Sequence, residues 1–135
     1  ILEAVWATIV DLSTWSQWFT VLERWMTEPP EILTEGTQLS AKIVMLGMAN
    51  KIEMTFEEVK APRRLVMGGT GMAGVKCSFT MTLEPAGADA ALFTVAGDFE
   101  GALVKGALAK AVEKDGLKQL EKAVTGLGDL AGAHA

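Results

Sequence analysis

The chain of 135 residues contains no tyrosine, one histidine, one cysteine and four prolines. A single cysteine, Cys77, cannot form a disulfide within the chain and is typical of a reducing compartment. The formal charge of −5 leaves no basic stripe to neutralise phosphates, which argues against nucleic-acid binding. No apolar run approaches the roughly 18 residues of a membrane-spanning helix, and no secretory leader is recognisable. We therefore expect a cytoplasmic protein with no membrane span.

Residues that could carry chemistry are also scarce. The only histidine, His134, lies in a glycine- and alanine-rich stretch, so no Ser-His-Asp or Cys-His arrangement can be built around it. Cys77 lies between Val75 and Phe79 in an apolar alternation, where a thiol is expected to act as a small buried hydrophobe. No group of His, Cys, Asp or Glu has the spacing of metal ligands. The sequence predicts no catalytic residue, no metal site and no cofactor.

Residues Gly69 to Gly74 match the dinucleotide-binding pattern G-x-G-x-x-G. That pattern binds a pyrophosphate only where a helix begins directly after it. Here residues 75–84 follow with an apolar side chain at every second position, which predicts a strand. The glycines therefore indicate a strand end and a hairpin, and nucleotide binding is not expected.

What the sequence does contain is a series of alternating segments, with half of its residues hydrophobic. Alternation of apolar and polar side chains predicts strands with one dry and one wet face, as in an antiparallel sheet. The clearest such segments are residues 37–46, 51–59, 64–70, 75–84 and 90–100. The other predicted elements are a strand with mixed faces at 21–27 and short helices at 2–10 and 14–18.

The final third of the chain predicts one long helix, from Ala102 to Leu127. Along it, large aliphatic side chains recur at multiples of four residues and form an apolar stripe. They are Val104, Leu108, Val112, Leu120 and Val124, and the stripe is widened by Leu103, Ala107, Ala111, Ala123 and Leu127. Such a stripe needs a partner surface, and the concave face of the sheet is the only one available. From Gly126 onward the composition predicts a frayed tail.

Methionine side chains fall on the inward-facing positions of three predicted strands, at Met45, Met54 and Met81. Thioether side chains adapt to variable shapes and are common at apolar binding surfaces. Taken from the residues alone, this pattern fits either a filled core or a ligand cavity between the helix and the sheet.

Several segments resemble the START-like or SRPBCC superfamily, which includes polyketide cyclase/dehydrase-like proteins. They are Asp11-Leu12-Ser13-Thr14-Trp15-Ser16-Gln17-Trp18-Phe19, Pro62-Arg63-Arg64-Leu65-Val66 and the amphipathic final helix. Residues 33–37 and 71–76 look particularly like an actinobacterial subfamily whose members are often labelled as the toxin of a toxin–antitoxin pair.

The resemblance implies an α+β helix-grip fold, in which a curved antiparallel sheet wraps around a long C-terminal helix and encloses an apolar cavity. Two short N-terminal helices belong to it, and the first strand of the family is missing from this chain. We expect a single START-like domain at residues 1–127 and a flexible C-terminal tail at 128–135.

With the resemblance, the sequence predicts non-catalytic binding of a lipid-like or polyketide-like molecule in that cavity. The predicted lining residues are Trp18, Ile43, Met45, Met54, Phe56, Phe79, Met81, Phe93, Leu108 and Val112. One alternative is a cyclase/dehydrase-like enzyme, for which Arg64, Asp98 and Glu100 are the candidate ionisable groups. Another is a toxin that acts through protein interaction. The partners considered are a hydrophobic ligand, an antitoxin and a second copy of the chain.

Overall fold

A computed structural model describes residues 2–71, 74–87, 90–100 and 106–134, and within them it leaves out the side chains at 45, 99, 106–113, 116 and 132–134. The helices are α1 (Leu2–Val10), α2 (Trp15–Trp18) and α3 (Gly106–His134), with a 3₁₀ turn at Leu12–Thr14 between the first two. The strands are β1 (Leu22–Trp25), β2 (Gln38–Met45), β3 (Met48–Lys60), β4 (Arg64–Thr70), β5 (Lys76–Pro85) and β6 (Ala91–Glu100).

The six strands form one curled antiparallel sheet whose spatial order follows the chain, from β1 to β6. Every neighbouring pair is antiparallel, as the one-sided alternation predicts. Along β5, for example, Cys77, Phe79, Met81 and Leu83 are buried, whereas Lys76 and Ser78 are exposed. The α+β helix-grip prediction is thereby confirmed.

Strand β3 begins earlier than the sequence pattern indicates, because the turn before it is very short. Leu46 and Gly47 form that turn with φ values of 53° and 74°. Positive φ at both central residues matches the right-handed twist of a two-residue hairpin. Pairing therefore starts at once, between Met45 and Met48.

The N-terminal helices are anchored by polar contacts to the backbone. The Asp11 carboxylate accepts hydrogen bonds from the N–H and hydroxyl of Ser13, at 3.2 and 2.6 Å, and so caps the 3₁₀ turn. The indole N–H of Trp15 donates to the Ile9 carbonyl at 2.7 Å, and that of Trp25 donates to the Leu12 carbonyl at 2.9 Å. Both indoles can therefore be buried without an unsatisfied donor.

Helix α3 differs from its prediction at two points. It continues to His134 instead of ending at Leu127, so residues 128–134 of the predicted tail are helical. Burial of Ala131 against the rest of the protein explains this, since docking outweighs the poor helix propensity of Gly126 and Gly128.

The second difference concerns the apolar stripe of α3. Val124, which was predicted to belong to it, is 40 % exposed, while Ala123, Leu127 and Ala131 are buried. An α-helix has 3.6 residues per turn, so a strict four-residue repeat drifts sideways and Val124 leaves the stripe. Among the described helices, none is both long and apolar enough to cross a membrane.

Candidate functional site

The inner face of the sheet is made of cross-strand rows, in which side chains of neighbouring strands lie side by side. Two of these rows differ sharply in the size of their side chains. The aromatic row consists of Phe56, Met67, Phe79 and Gly97, which are paired in register from β3 to β6. The glycine row consists of Leu39, Met54, Gly69 and Cys77, paired in register from β2 to β5.

At the aromatic row, rings from the N-terminal helices fill the interior. The centroid of Trp15 lies 5.0 Å from that of Trp18, 5.2 Å from Phe19 and 6.1 Å from Phe56. Phe19 meets Phe79 edge-on at 5.1 Å. Offset and edge-to-face geometries at these separations are favourable aromatic contacts. This end of the interior is therefore packed with side chains of the protein itself.

Helix α3 closes this end by a close backbone approach. A Cβ atom on Gly126 would lie 3.0 Å from Cα and 3.1 Å from Cβ of Trp18, so only a glycine fits there without displacement. Further towards its N-terminus, Leu120 lies near Gly97 and Phe79. The predicted contact between the helix stripe and the sheet is thus made at Leu120, whereas Gly126 packs on α2.

The glycine row has a different composition: from β2 to β5 it contains no aromatic side chain, and on β6 it continues in register to Phe99, whose side chain lies outside the described part of the structure. Met54 and Cys77 are both buried, and the thiol Sγ lies 3.9 Å from the thioether Sδ. Burial raises the pKa of the Cys77 thiol to about 11. The group therefore stays a neutral thiol near pH 7 and contributes an apolar wall, as the sequence predicts.

The structure brings several predicted lining residues together on the inner side of the molecule. Trp18, Phe56 and Phe79 belong to the aromatic end, while Met81 lies in the next row and Phe93 pairs with Leu83. The other two described residues of the set, Ile43 and Met54, are buried on β2 and β3. The side chains of Met45, Leu108 and Val112 lie outside the described part of the structure.

The outer face of the sheet carries a polar groove of about 700 Å³ that sequence reasoning assigned to a plain solvated surface. Three members of the glycine row, Met54, Gly69 and Cys77, also border it, and its polar lining consists of Gln38, Glu53, Thr55, Glu57, Thr70, Lys76, Ser78, Asp98 and Glu100. The groove opens where Gly68 presents no side chain, and the Glu57 carboxylate bends towards that place, with Oε2 2.8 Å from the position a Cβ would take. The sequence signal for this groove was Gly68, a glycine at an outward-facing position within a predicted strand.

The charged candidates for catalysis all lie away from the interior. Asp98 and Glu100 line the outer groove, and Arg64 donates to the Glu58 carboxylate at 2.9 Å on the exposed surface. The groove can accept hydrogen bonds and cations. Among the described residues, however, no cluster of three or more potential ligands could hold a metal ion.

One ionisable residue escaped the sequence analysis. The Oδ2 atom of Asp115, on α3, is buried and has no hydrogen-bond partner in the described part of the protein. Burying a carboxylate oxygen without a partner costs free energy, so such a group needs an explanation. Asp115 is therefore a further polar candidate for contact with a ligand.

Comparison with known proteins places these features in a family context. The sequence model of the family described as polyketide cyclase / dehydrase and lipid transport matches residues 2–129. A curated protein named Toxin Rv0910, from Mycobacterium tuberculosis, is 30 % identical over 83 residues, which cover 62 % of this chain and 58 % of that protein. The alignment thus spans a little over half the length of that relative.

Solved structures with low sequence identity share the fold. A hypothetical protein of Helicobacter pylori, jhp0584, superposes with a TM-score of 0.75 at 19 % identity, covering 97 % of this chain and 80 % of that one. A START superfamily protein from Mycobacterium smegmatis gives a TM-score of 0.73 at 19 % identity, covering 96 % and 90 %. At this identity the likeness supports the fold alone.

Proposed function

Since this chain belongs to the polyketide cyclase/dehydrase and lipid transport family, we propose that it binds a hydrophobic small molecule between α3 and the inner face of the sheet. The ligand is lipid-like or polyketide-like, and binding does not require a reaction. Burial of its apolar surface supplies the affinity, at roughly 25 cal/mol per Å² removed from water.

The observation that carries this proposal is the sorting of side chains between the two faces of the sheet. Among the described residues, the inner positions of β2 to β6 carry apolar side chains, glycine, the neutral Cys77 and the uncharged amide of Asn50, which pairs in register with Ile43 near the β2–β3 hairpin. The charged side chains of the same strands point outward. An apolar interior of this kind suits a ligand without charge in its buried part.

Within the interior, the ligand is expected at the end marked by the glycine row. The aromatic end is occupied by Trp15, Trp18 and Phe19, so it forms a closed wall. In this proposal Ile43 and Met54 lie beside the ligand, and Phe56, Phe79, Met81 and Phe93 extend the wall. Met45, Leu108 and Val112 complete the proposed lining.

Native mass spectrometry tests the proposal directly, on protein purified from its own source and on protein incubated with fatty acids and aromatic polyketides. We expect one bound molecule of small mass. Met54→Trp, which fills the glycine row, should abolish binding, whereas Leu92→Trp, at an exposed outward-facing position of β6, should not. Equal binding by both variants would contradict an interior site.

The cyclase or dehydrase alternative has lost the residues on which it depended, because Arg64, Asp98 and Glu100 all lie on the outer face. If the protein is an enzyme, the candidate ionisable group is instead the Asp115 carboxylate. Asp115→Asn should then abolish turnover or weaken the binding of hydroxylated ligands, with no effect on purely apolar ones. An unchanged preference between the two ligand types would exclude this role.

The toxin alternative is motivated by the name of the Mycobacterium tuberculosis relative, Toxin Rv0910. It is tested by expressing the chain and measuring growth arrest, with and without a neighbouring antitoxin gene. An effect exerted through the interior should be lost in Met54→Trp and kept in Leu92→Trp. An effect exerted through protein contacts on the surface should survive Met54→Trp.

A further inference from the structure

Gly69 leaves a gap in the inner face of β4, and the side chain of Met54 lies across it. A Cβ atom on Gly69 would stand 2.6 Å from the Met54 thioether sulfur and would also collide with Ile52. Side chains from β3 thus occupy the space that a β4 side chain would otherwise fill. At this point the inner surface of the sheet is formed by side chains of β3 and not of β4.

Met54 is well suited to be displaced from that place. Its side chain is unbranched, with three rotatable bonds and a polarisable sulfur, so it can adopt several shapes at little cost. Its neighbours across the row are the small residues Gly69 and Cys77. The backbone of Gly69 therefore lies beneath the thioether, and Met54 shares the space over that glycine with Ile52, whose Cγ2 would also collide with a Cβ at position 69.

Met67 offers a matched contrast one row away. It is as deeply buried as Met54 and lies on β4, but its cross-strand neighbours are Phe56 and Phe79. Truncating Met67 would leave a hole walled by rings at the filled end. Truncating Met54 would instead remove the side chain that covers Gly69 and so enlarge the space beside the proposed ligand.

We propose that Met54 sets the length of the apolar chain that the interior accepts, by resting its thioether over Gly69. This inference rests on the proposed function and names its ligand more closely, as a molecule with an elongated single hydrocarbon chain. A shorter side chain at position 54 extends the space available to that chain. A side chain at position 69 pushes the thioether towards the ligand and so shortens the space available to the chain.

The test compares saturated fatty acids of graded length against the wild-type protein, Met54→Ala and Met67→Ala, with dissociation constants measured by calorimetry. Met54→Ala should shift the preferred length upward, with roughly a fourfold gain in affinity for each methylene newly accommodated. Met67→Ala should keep the wild-type preference. If Met54→Ala does not fold, Met54→Leu should give a smaller shift in the same direction.

Gly69→Ala should shift the preferred chain length downward. The double variant Met54→Ala/Gly69→Ala should return towards the wild-type preference, because the new methyl group occupies part of the vacated space. An unchanged length profile in Met54→Ala, or an equal shift in Met67→Ala, would overturn the inference while leaving the proposed function in place. Absence of binding by every variant and by the wild-type protein would overturn the proposed function itself.

Discussion

The two ends of the interior are built from the same sheet but hold different kinds of side chain. At the aromatic row, indole and phenyl rings contact one another and backbone carbonyls satisfy the indole N–H groups. At the glycine row, two adjacent strands contribute Gly69 and Cys77, and a flexible thioether covers the gap. The contrast indicates that the aromatic end provides stability, and it is the reason why we propose the ligand at the glycine row.

Trp15→Ala should have the largest effect, since it removes the ring at the centre of the aromatic end. Trp15 is fully buried, contacts four aromatic side chains and donates a hydrogen bond to Ile9. We expect a loss of about 3–5 kcal/mol in the free energy of unfolding, measured with urea. A loss below about 1 kcal/mol would show that this end is not the stable core.

The thiol of Cys77 should make stability at the glycine row depend on alkaline pH. Its pKa is raised from 9.0 to about 11 by burial, so the folded state holds the proton where the unfolded state releases it. Stability should therefore fall between about pH 9 and pH 11, by on the order of 2 kcal/mol. Urea unfolding at pH 8 and pH 10.5 measures this.

Cys77→Ala is the control for that measurement, because it removes the thiol and keeps every other ionisable group. The pH-dependent loss should be smaller in the variant than in the wild-type protein. Identical pH profiles would mean that the thiol is not desolvated in the folded state.

Two glycines of α3 should respond with opposite signs to the same substitution. Gly126→Ala forces a methyl group against the Trp18 backbone and should destabilise the protein by about 1–2 kcal/mol. A Cβ at Gly128 meets nothing within 4 Å, so Gly128→Ala should stabilise the helix by about 0.5–1 kcal/mol. Thermal unfolding of both variants decides the matter, and equal signs would contradict the described docking of α3.

The smallest effect is expected at the β2–β3 hairpin. Leu46 has a φ of 53° and is 44 % exposed, although branched apolar residues disfavour this backbone conformation. Leu46→Asn should raise stability by about 0.5–1 kcal/mol, because asparagine tolerates the left-handed region. Thermal unfolding measures the change, and a decrease would show that Leu46 makes stabilising contacts.

Local patterns were sufficient to predict most of the fold. The alternation placed β4 at Arg64–Thr70 and the periodicity placed α1 at Leu2–Val10, both as observed. The end of α3 was not predictable in this way. Glycine normally marks a helix end, and only the docking of Ala131 and the close fit of Gly126 on Trp18 explain why the helix continues.

Prediction of the candidate site reached a similar limit. Alternation correctly identified Ile43, Met54 and Met81 as inward-facing, because side chains two residues apart along a strand lie on the same face of the sheet. It could not show which of them share a row, since that depends on the register between strands. The contact of Met54 with Gly69, and the outer groove at Gly68, therefore required the structure.

The most direct test of an interior ligand site is methyl NMR of protein labelled at the methionine ε-carbons, titrated with a long-chain fatty acid. Met54 is buried in the glycine row, whereas Met26 is exposed just beyond the end of β1 and provides an internal control. The account predicts a saturable shift of the Met54 methyl signal with little change at Met26. Shifts confined to the exposed methyl groups would contradict it.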